Sequence, residues 1–275
     1  MTLYRGMDAA TLEREYSPSS MIGGNYMPFI DRYIELSAQA RALPGVRQDL
    51  AYGSLPTQVL DFFPAPSPLP RGAPLHIFIH GGYWQELSHK ESAAMAPAIV
   101  ASGSAFATLN YTLAPHARLG EMVEECRAAL AWLARNAVDL GIDATRVTLS
   151  GHSAGAHLAA MVLSAPGEPL RASGMQITQA LLISGVFDLD PIRLTSVNDP
   201  LQLTSEEVTA LSPQQLQPDA DVHFRIVAGQ YDTAEFIRQS RDYAAHLSRL
   251  GHRVSCDILP DLNHFDIILQ PALFA

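Results

Sequence analysis

Long hydrophobic runs are missing from the 275 residues: no stretch approaches the ~20 uninterrupted apolar residues of a membrane span, so no membrane partner is expected. Cysteine is scarce as well. Cys126 and Cys256 are too few for a disulfide framework and lack the paired spacing of a zinc ribbon or redox pair; two buried structural thiols in a reducing compartment, and no metal, are expected. Basic residues are in deficit: 18 Lys and Arg against 28 Asp and Glu leave a net charge of −10, which repels nucleic-acid phosphate and anionic lipid. Charged residues make up only 17% of the chain and hydrophobic ones 48%, a balance that excludes disorder and supplies a large core. Residues 1–16 include Arg5, Asp8, Glu13, Arg14 and Glu15, so they hold no apolar signal core. What remains is a cytoplasmic globular protein with a small-molecule partner, folded as one α/β domain over residues 1–275.

Pro64, Pro66, Pro68, Pro70 and Pro74 crowd one loop, which forbids helix and central strand there. Beyond it the apolar run 75–80, ended by Gly81 and Gly82, reads as a buried strand, and similar runs follow at 105–109, 146–150, 180–184, 222–228 and 254–259. Helix-like stretches at 92–101, 120–139, 154–164 and 234–250 separate them. Strand then helix, repeated, with strands apolar on both sides, predicts a mostly parallel sheet covered by helices on both faces. Segments 47–52 and 57–63 alternate more and are expected as an antiparallel edge, behind an N-terminal extension of about residues 1–45. The polar stretch 188–218 breaks the rhythm between two core strands; a small cap insertion with short helices is expected there.

Gly151-His152-Ser153-Ala154-Gly155 stands directly after a predicted strand and directly before a predicted helix. That setting is a nucleophile elbow, in which a sharp turn exposes the Ser153 hydroxyl at the sheet top and the glycines remove clashing side chains. A serine hydroxyl needs a base, and in this architecture acid and histidine follow it in chain order. His264 lies just after the final strand, whereas His246 and His252 fall in and at the end of a helix. Asp232 follows the preceding strand and is the expected acid; Asp188 and Asp261 are its rivals. His80-Gly81-Gly82-Tyr83-Trp84 follows the first buried strand, so Gly82 and Tyr83, with Ala154, are the expected oxyanion donors. His157 and Met161 sit at helical spacing and read as core.

Taken together these motifs resemble the kynurenine formamidases, or arylformamidases, of the α/β-hydrolase fold. The resemblance extends from EREYSPS near Tyr16 and Ser19 through GHSAGAHLAAM at 151–161 and SGVFDLDPI at 184–192 to LQLT at 201–204. It continues in GQYDTAEFIRQS at 229–240 and NHFDI at 263–267, and so covers nearly the whole chain. Trp84, where the related esterases carry a third small residue, sets the group apart. The resemblance implies a Ser153, Asp232, His264 triad and a reaction that removes the formyl group of N-formyl-L-kynurenine in tryptophan degradation, without cofactor. Tyr231 is a departure beside the acid, with no role assigned.

Tyr83 and Trp84 are candidates for the substrate pocket, with Tyr16, Ser19 and Phe187, and Arg193 or Arg238 for the substrate carboxylate. A homodimer is expected. The alternatives are a carboxylesterase or amidase for small aryl esters, anilides or carbamates, and a non-catalytic ligand-binding hydrolase fold.

Overall fold

The computed structural model describes residues 2–67, 69–164, 168–218 and 222–274. Pro68 of the proline-rich loop and the terminal Met1 and Ala275 of the expected domain lie outside them. Eight strands form one sheet: β1 Arg47–Ala51, β2 Val59–Phe63, β3 Ala73–Ile79, β4 Ala105–Leu109, β5 Ile142–His152, β6 Ile177–Ile183, β7 His223–Tyr231 and β8 Arg253–Asn263. Their spatial order is β1-β2-β4-β3-β5-β6-β7-β8. β1 pairs antiparallel with β2 and β2 with β4, and every other pair is parallel. The expected antiparallel edge in front of a parallel sheet is therefore present.

The helices are α1 Ala9–Glu15, α2 Met27–Arg41, α3 Ala96–Ala101, α4 Leu119–Arg135, α5 Ala137–Leu140, α6 Ala154–Ser164, α7 Glu168–Ala172, α8 Asn198–Leu201, α9 Ser205–Leu211 and α10 Ala234–Arg249. Because side chains alternate across a strand, β3 sends Leu75, Ile77 and Ile79 to one face and Phe78 to the other. The first face packs under α4, α6 and the Tyr243 and Leu247 side of α10; the second packs under α2, α3 and the C-terminal Ile267, Leu273 and Phe274. Both faces are thus closed, as a parallel sheet requires. Among the described residues no helix is long and apolar enough to cross a membrane.

Several boundaries differ from expectation for local reasons. The helix expected over 92–101 begins only at Ala96, where Pro97 fits the first turn because its missing N–H is one the helix would not use. The helix expected over 120–139 divides at Asn136, which ends α4 and whose side chain bonds the Trp132 carbonyl at 2.8 Å. β5 starts at Ile142 rather than near 146, because Ile142 already pairs with Ala73. β8 runs on through Pro260 to Asn263; it is an edge strand, where a proline without N–H is tolerated. Cys126 is buried as expected, but Cys256 is exposed because it sits on that same edge strand.

Candidate active site

The carboxyl end of β5 runs straight into α6, and Ser153 forms the turn between them with φ +55, a left-handed conformation that a β-carbon makes costly. Neighbouring backbone holds it there. Ser153 donates its N–H to the Ile183 carbonyl at 2.8 Å and its own carbonyl accepts from Ala156 at 3.0 Å. A β-carbon on Gly155 would lie 2.0 Å from the Ile79 carbonyl oxygen, and one on Gly151 would lie 2.2 Å from the Gly155 carbonyl oxygen. Only glycine at both positions lets α6 approach the sheet this closely.

His264 follows β8 directly, and its Nδ1 lies 2.6 Å from Asp232 Oδ1. Asp232 is buried just past β7, and its second oxygen accepts from the Ser184 hydroxyl at 2.6 Å and from the Gly229 N–H at 3.0 Å. Burial alone would raise its carboxyl pKa, but attraction to His264 and the hydrogen bonds from His264, Ser184 and Gly229 outweigh it and pull it below its ordinary value. The Phe236 ring meets the imidazole edge-on at 4.7 Å. His152 packs against it too, at 4.7 Å between ring centres, and its Nε2 lies 2.8 Å from the His264 carbonyl oxygen. Burial, aided by His264, pushes His152 down to about 3, so it is neutral and donates that bond. Ser153 and His264 open into one cavity of about 400 Å³, with no direct hydrogen bond between them, a gap common in unliganded sites.

The loop after β3 forms the opposite wall. Gly82 has φ +94, and a β-carbon there would lie 2.2 Å from the Glu86 carbonyl oxygen, so the turn is open only to glycine. Tyr83 and Trp84 are also left-handed, at φ +49 and +61. Within the described residues no hydrogen bond uses the N–H of Gly82 or Tyr83, and Ala154, first in α6, has an N–H that no helical carbonyl can reach. Three backbone N–H groups thus have no partner among the described residues, and Gly82, Tyr83 and Ser153 line the same cavity.

Of the candidate pocket residues, Tyr16, Ser19 and Tyr83 line the cavity and two do not. Trp84 is fully buried, edge-on to His157 at 5.0 Å, because three successive left-handed residues turn its side chain under the sheet top rather than over it. Phe187 is equally buried and stacks on Tyr243 at 4.3 Å. His157 and Met161 are core residues, as expected. Neither rival acid pairs with His264: Asp188 accepts from the Tyr4 hydroxyl at 2.9 Å, and Asp261 is exposed with φ +60. Tyr231 is exposed.

Relatives with known names match this architecture over nearly its full length. The chain is 34% identical to a kynurenine formamidase of Salmo salar, over 98% of this chain and 94% of that protein. It is 33% identical to one of Danio rerio with the same coverage. The chain belongs to the kynurenine formamidase family. The family model BD-FAE also matches residues 60–178. In structure the chain is similar to a Silicibacter sp. protein assigned as a thioesterase, at TM-score 0.83, 26% identity and coverage of 94% and 95%. Esterase B from Lactobacillus rhamnosis, at TM-score 0.74, 20% identity and coverage of 94% and 92%, shares the fold. The chain is an α/β-hydrolase and a serine hydrolase.

Sequence reasoning missed four parts of this site. Ser184, which clamps Asp232, opens the SGVFDLDPI segment just past β6 with no role assigned to it; its φ of +46 and its bond to Asp232 are what distinguish it. Glu235 accepts from the Tyr16 hydroxyl at 2.9 Å and so ties the N-terminal segment to α10. Glu13 and Glu86 line the cavity; Glu13 opens the EREYSPS segment with no role assigned to it, and Glu86 lies in no motif. Among the described residues one group has metal-ligand spacing, Asp49, Asp61 and His89, but the Arg41 guanidinium already sits 2.6 Å from Asp61 and 3.5 Å from Asp49.

Proposed function

We propose that the protein hydrolyses the formamide of N-formyl-L-kynurenine to kynurenine and formate, with Ser153 as nucleophile, His264 as general base then acid, and Asp232 as the carboxylate behind it. The observation that carries the reading is the shared cavity, into which a strained serine and a carboxylate-backed histidine both open.

His264 Nε2 takes the proton of Ser153 as Oγ bonds to the formyl carbon, and Asp232 holds the opposite ring nitrogen and stabilises the imidazolium. The formyl oxygen becomes negative and, in this proposal, accepts from the N–H groups of Gly82, Tyr83 and Ala154, each donor contributing about 3 kcal/mol. The carbon–nitrogen bond breaks as His264 returns the proton to the aniline nitrogen. An aromatic amine leaves more readily than an alkyl one, so an esterase-like site suffices. Water, deprotonated by the same histidine, attacks the formyl-serine ester, and formate leaves with Ser153 restored.

The carboxylesterase reading is the second, favoured by the fold shared with Esterase B. A homodimer in a reducing cytoplasm belongs to the proposal as well, the second part supported by two unpaired thiols; sedimentation of the purified protein tests the first. The deciding measurement is kcat/KM on N-formyl-L-kynurenine beside p-nitrophenyl acetate, for the parent and Ser153→Ala. Efficient deformylation lost in the variant supports the proposal, and ester cleavage without deformylation refutes its substrate.

A further inference from the structure

The walls of the catalytic cavity carry two carboxylates, Glu13 and Glu86, and among its described lining residues no lysine or arginine. Glu13, half-buried on α1, accepts from the Ser196 N–H at 3.0 Å and from its hydroxyl, so two carboxylate oxygens are held in place while their remaining lone pairs are free for a donor. Glu86 is exposed and accepts from the Tyr26 hydroxyl at 3.4 Å, and the Tyr26 ring lies flat on Phe265 at 5.5 Å. The lining therefore combines fixed negative charge with the rings of Tyr16, Tyr26, Tyr83 and Phe265, whose faces attract cations. His152 adds no charge, since burial keeps it neutral.

The arginines expected to bind a substrate carboxylate are placed elsewhere. Arg238 is paired with Glu235 at 2.7 Å and Asp242 at 2.7 Å, and Arg193 faces Asp190 at 3.7 Å; neither lines this cavity. An amino-acid side chain on the leaving arylamine would meet two anionic partners for its ammonium and, among the described lining residues, no lysine or arginine for its carboxylate.

We propose that the cavity selects substrates by a protonated amine on the leaving arylamine, received by Glu13 and Glu86, and leaves any carboxylate facing water. The substrate class is then aryl formamides with a cationic side chain, whether or not an acid group is also present. The inference rests on the formamidase reading for its reaction, but the charge preference concerns the leaving group and not the acyl group.

Four formamides on one ortho-acylaniline frame test it: side chain with amine and acid, amine alone, acid alone, and neither. The expected order of kcat/KM places the amine-only compound at or above the zwitterion, then the neutral one, then the acid. The first and the neutral compound should differ by about tenfold, the scale of partly screened ion pairs. That ratio should fall roughly threefold in Glu13→Gln or Glu86→Gln and about tenfold in the double variant, and should shrink as salt is added. Ser196→Ala loosens the Glu13 tether but keeps the charge, so the ratio should persist. A preference for the acid-only compound, a ratio indifferent to both glutamates, or an equal fall in Ser196→Ala would each overturn the proposal. Should no formamide be turned over, the formamidase reading fails separately, and aryl acetates with the same four side chains read the charge preference in its place.

Discussion

Replacing Asp232 with asparagine keeps the shape of the site and removes one charge, which makes it the sharpest probe of the proposed triad. The asparagine oxygen can still accept from the Gly229 N–H and the Ser184 hydroxyl, which hold Asp232 at 3.0 and 2.6 Å, so the fold should survive. Its amide would present N–H to His264 Nδ1, where a carboxylate oxygen now lies at 2.6 Å. The ring proton would move to Nε2, and the imidazole could no longer accept the Ser153 proton. The lost attraction between carboxylate and imidazolium, taken across about 4 Å at an effective dielectric near 20, is about 4 kcal/mol, or roughly a thousandfold in rate. The tautomer change adds to that, so kcat/KM should fall by about 10³ to 10⁴. The assay is formamide hydrolysis over about pH 6 to 9 with a parallel thermal melt, so that lost activity is separated from lost fold. Activity within tenfold of the parent, on a folded variant, would refute the assignment of Asp232.

Gly155→Ala should fail to fold or lose at least about 3 kcal/mol in urea melts, because its β-carbon would lie 2.0 Å from the Ile79 carbonyl, which belongs to a central strand and cannot yield. Arg41→Leu should cost about 3 kcal/mol by leaving the fully buried Asp61 without its 2.6 Å guanidinium, and adding Asp61→Leu should recover much of that; no loss in the single variant would show the pair to be dispensable. Burial pushes His76 and His152 down to about 3 and His80 and His157 to about 4, so each takes up a proton on unfolding once the pH falls below 6.5. Their folded-state values lie below the unfolded one, so the stability they allow is complete above that pH and declines as acid is added, by about 1.4 kcal/mol per pH unit for each histidine. Chemical melts at a series of pH values check the slope, and stability flat between pH 6.5 and about 5 would contradict it.

Much of the site was legible in the chain because its parts carry local physical signatures. A strand, a glycine-flanked serine and a helix in immediate succession make an elbow whatever surrounds them, and Ser153 has the left-handed φ that such a turn requires. Asp232 and His264 could be picked out as a pair because each follows a strand of the same parallel sheet, which brings them into hydrogen-bond contact although 32 residues separate them. Pocket assignments made from neighbourhood in the chain fared worse. Trp84 adjoins the proposed oxyanion loop and Phe187 lies in a motif, yet both are buried in the core, since side-chain direction follows backbone dihedrals and not proximity in sequence.

The sequence by itself determined the alternation of strands and helices, the elbow and the serine at its tip, because each depends on contacts within a few residues. The tertiary structure alone decided which surfaces complete the cavity. Tyr16 reaches Glu235 across 219 positions and Glu13 reaches Ser196 across 183, contacts that arise only when the N-terminal segment has folded over the sheet edge. No periodicity or motif encodes such pairings, since they depend on how whole elements pack, and they set the charge of the wall that a substrate meets.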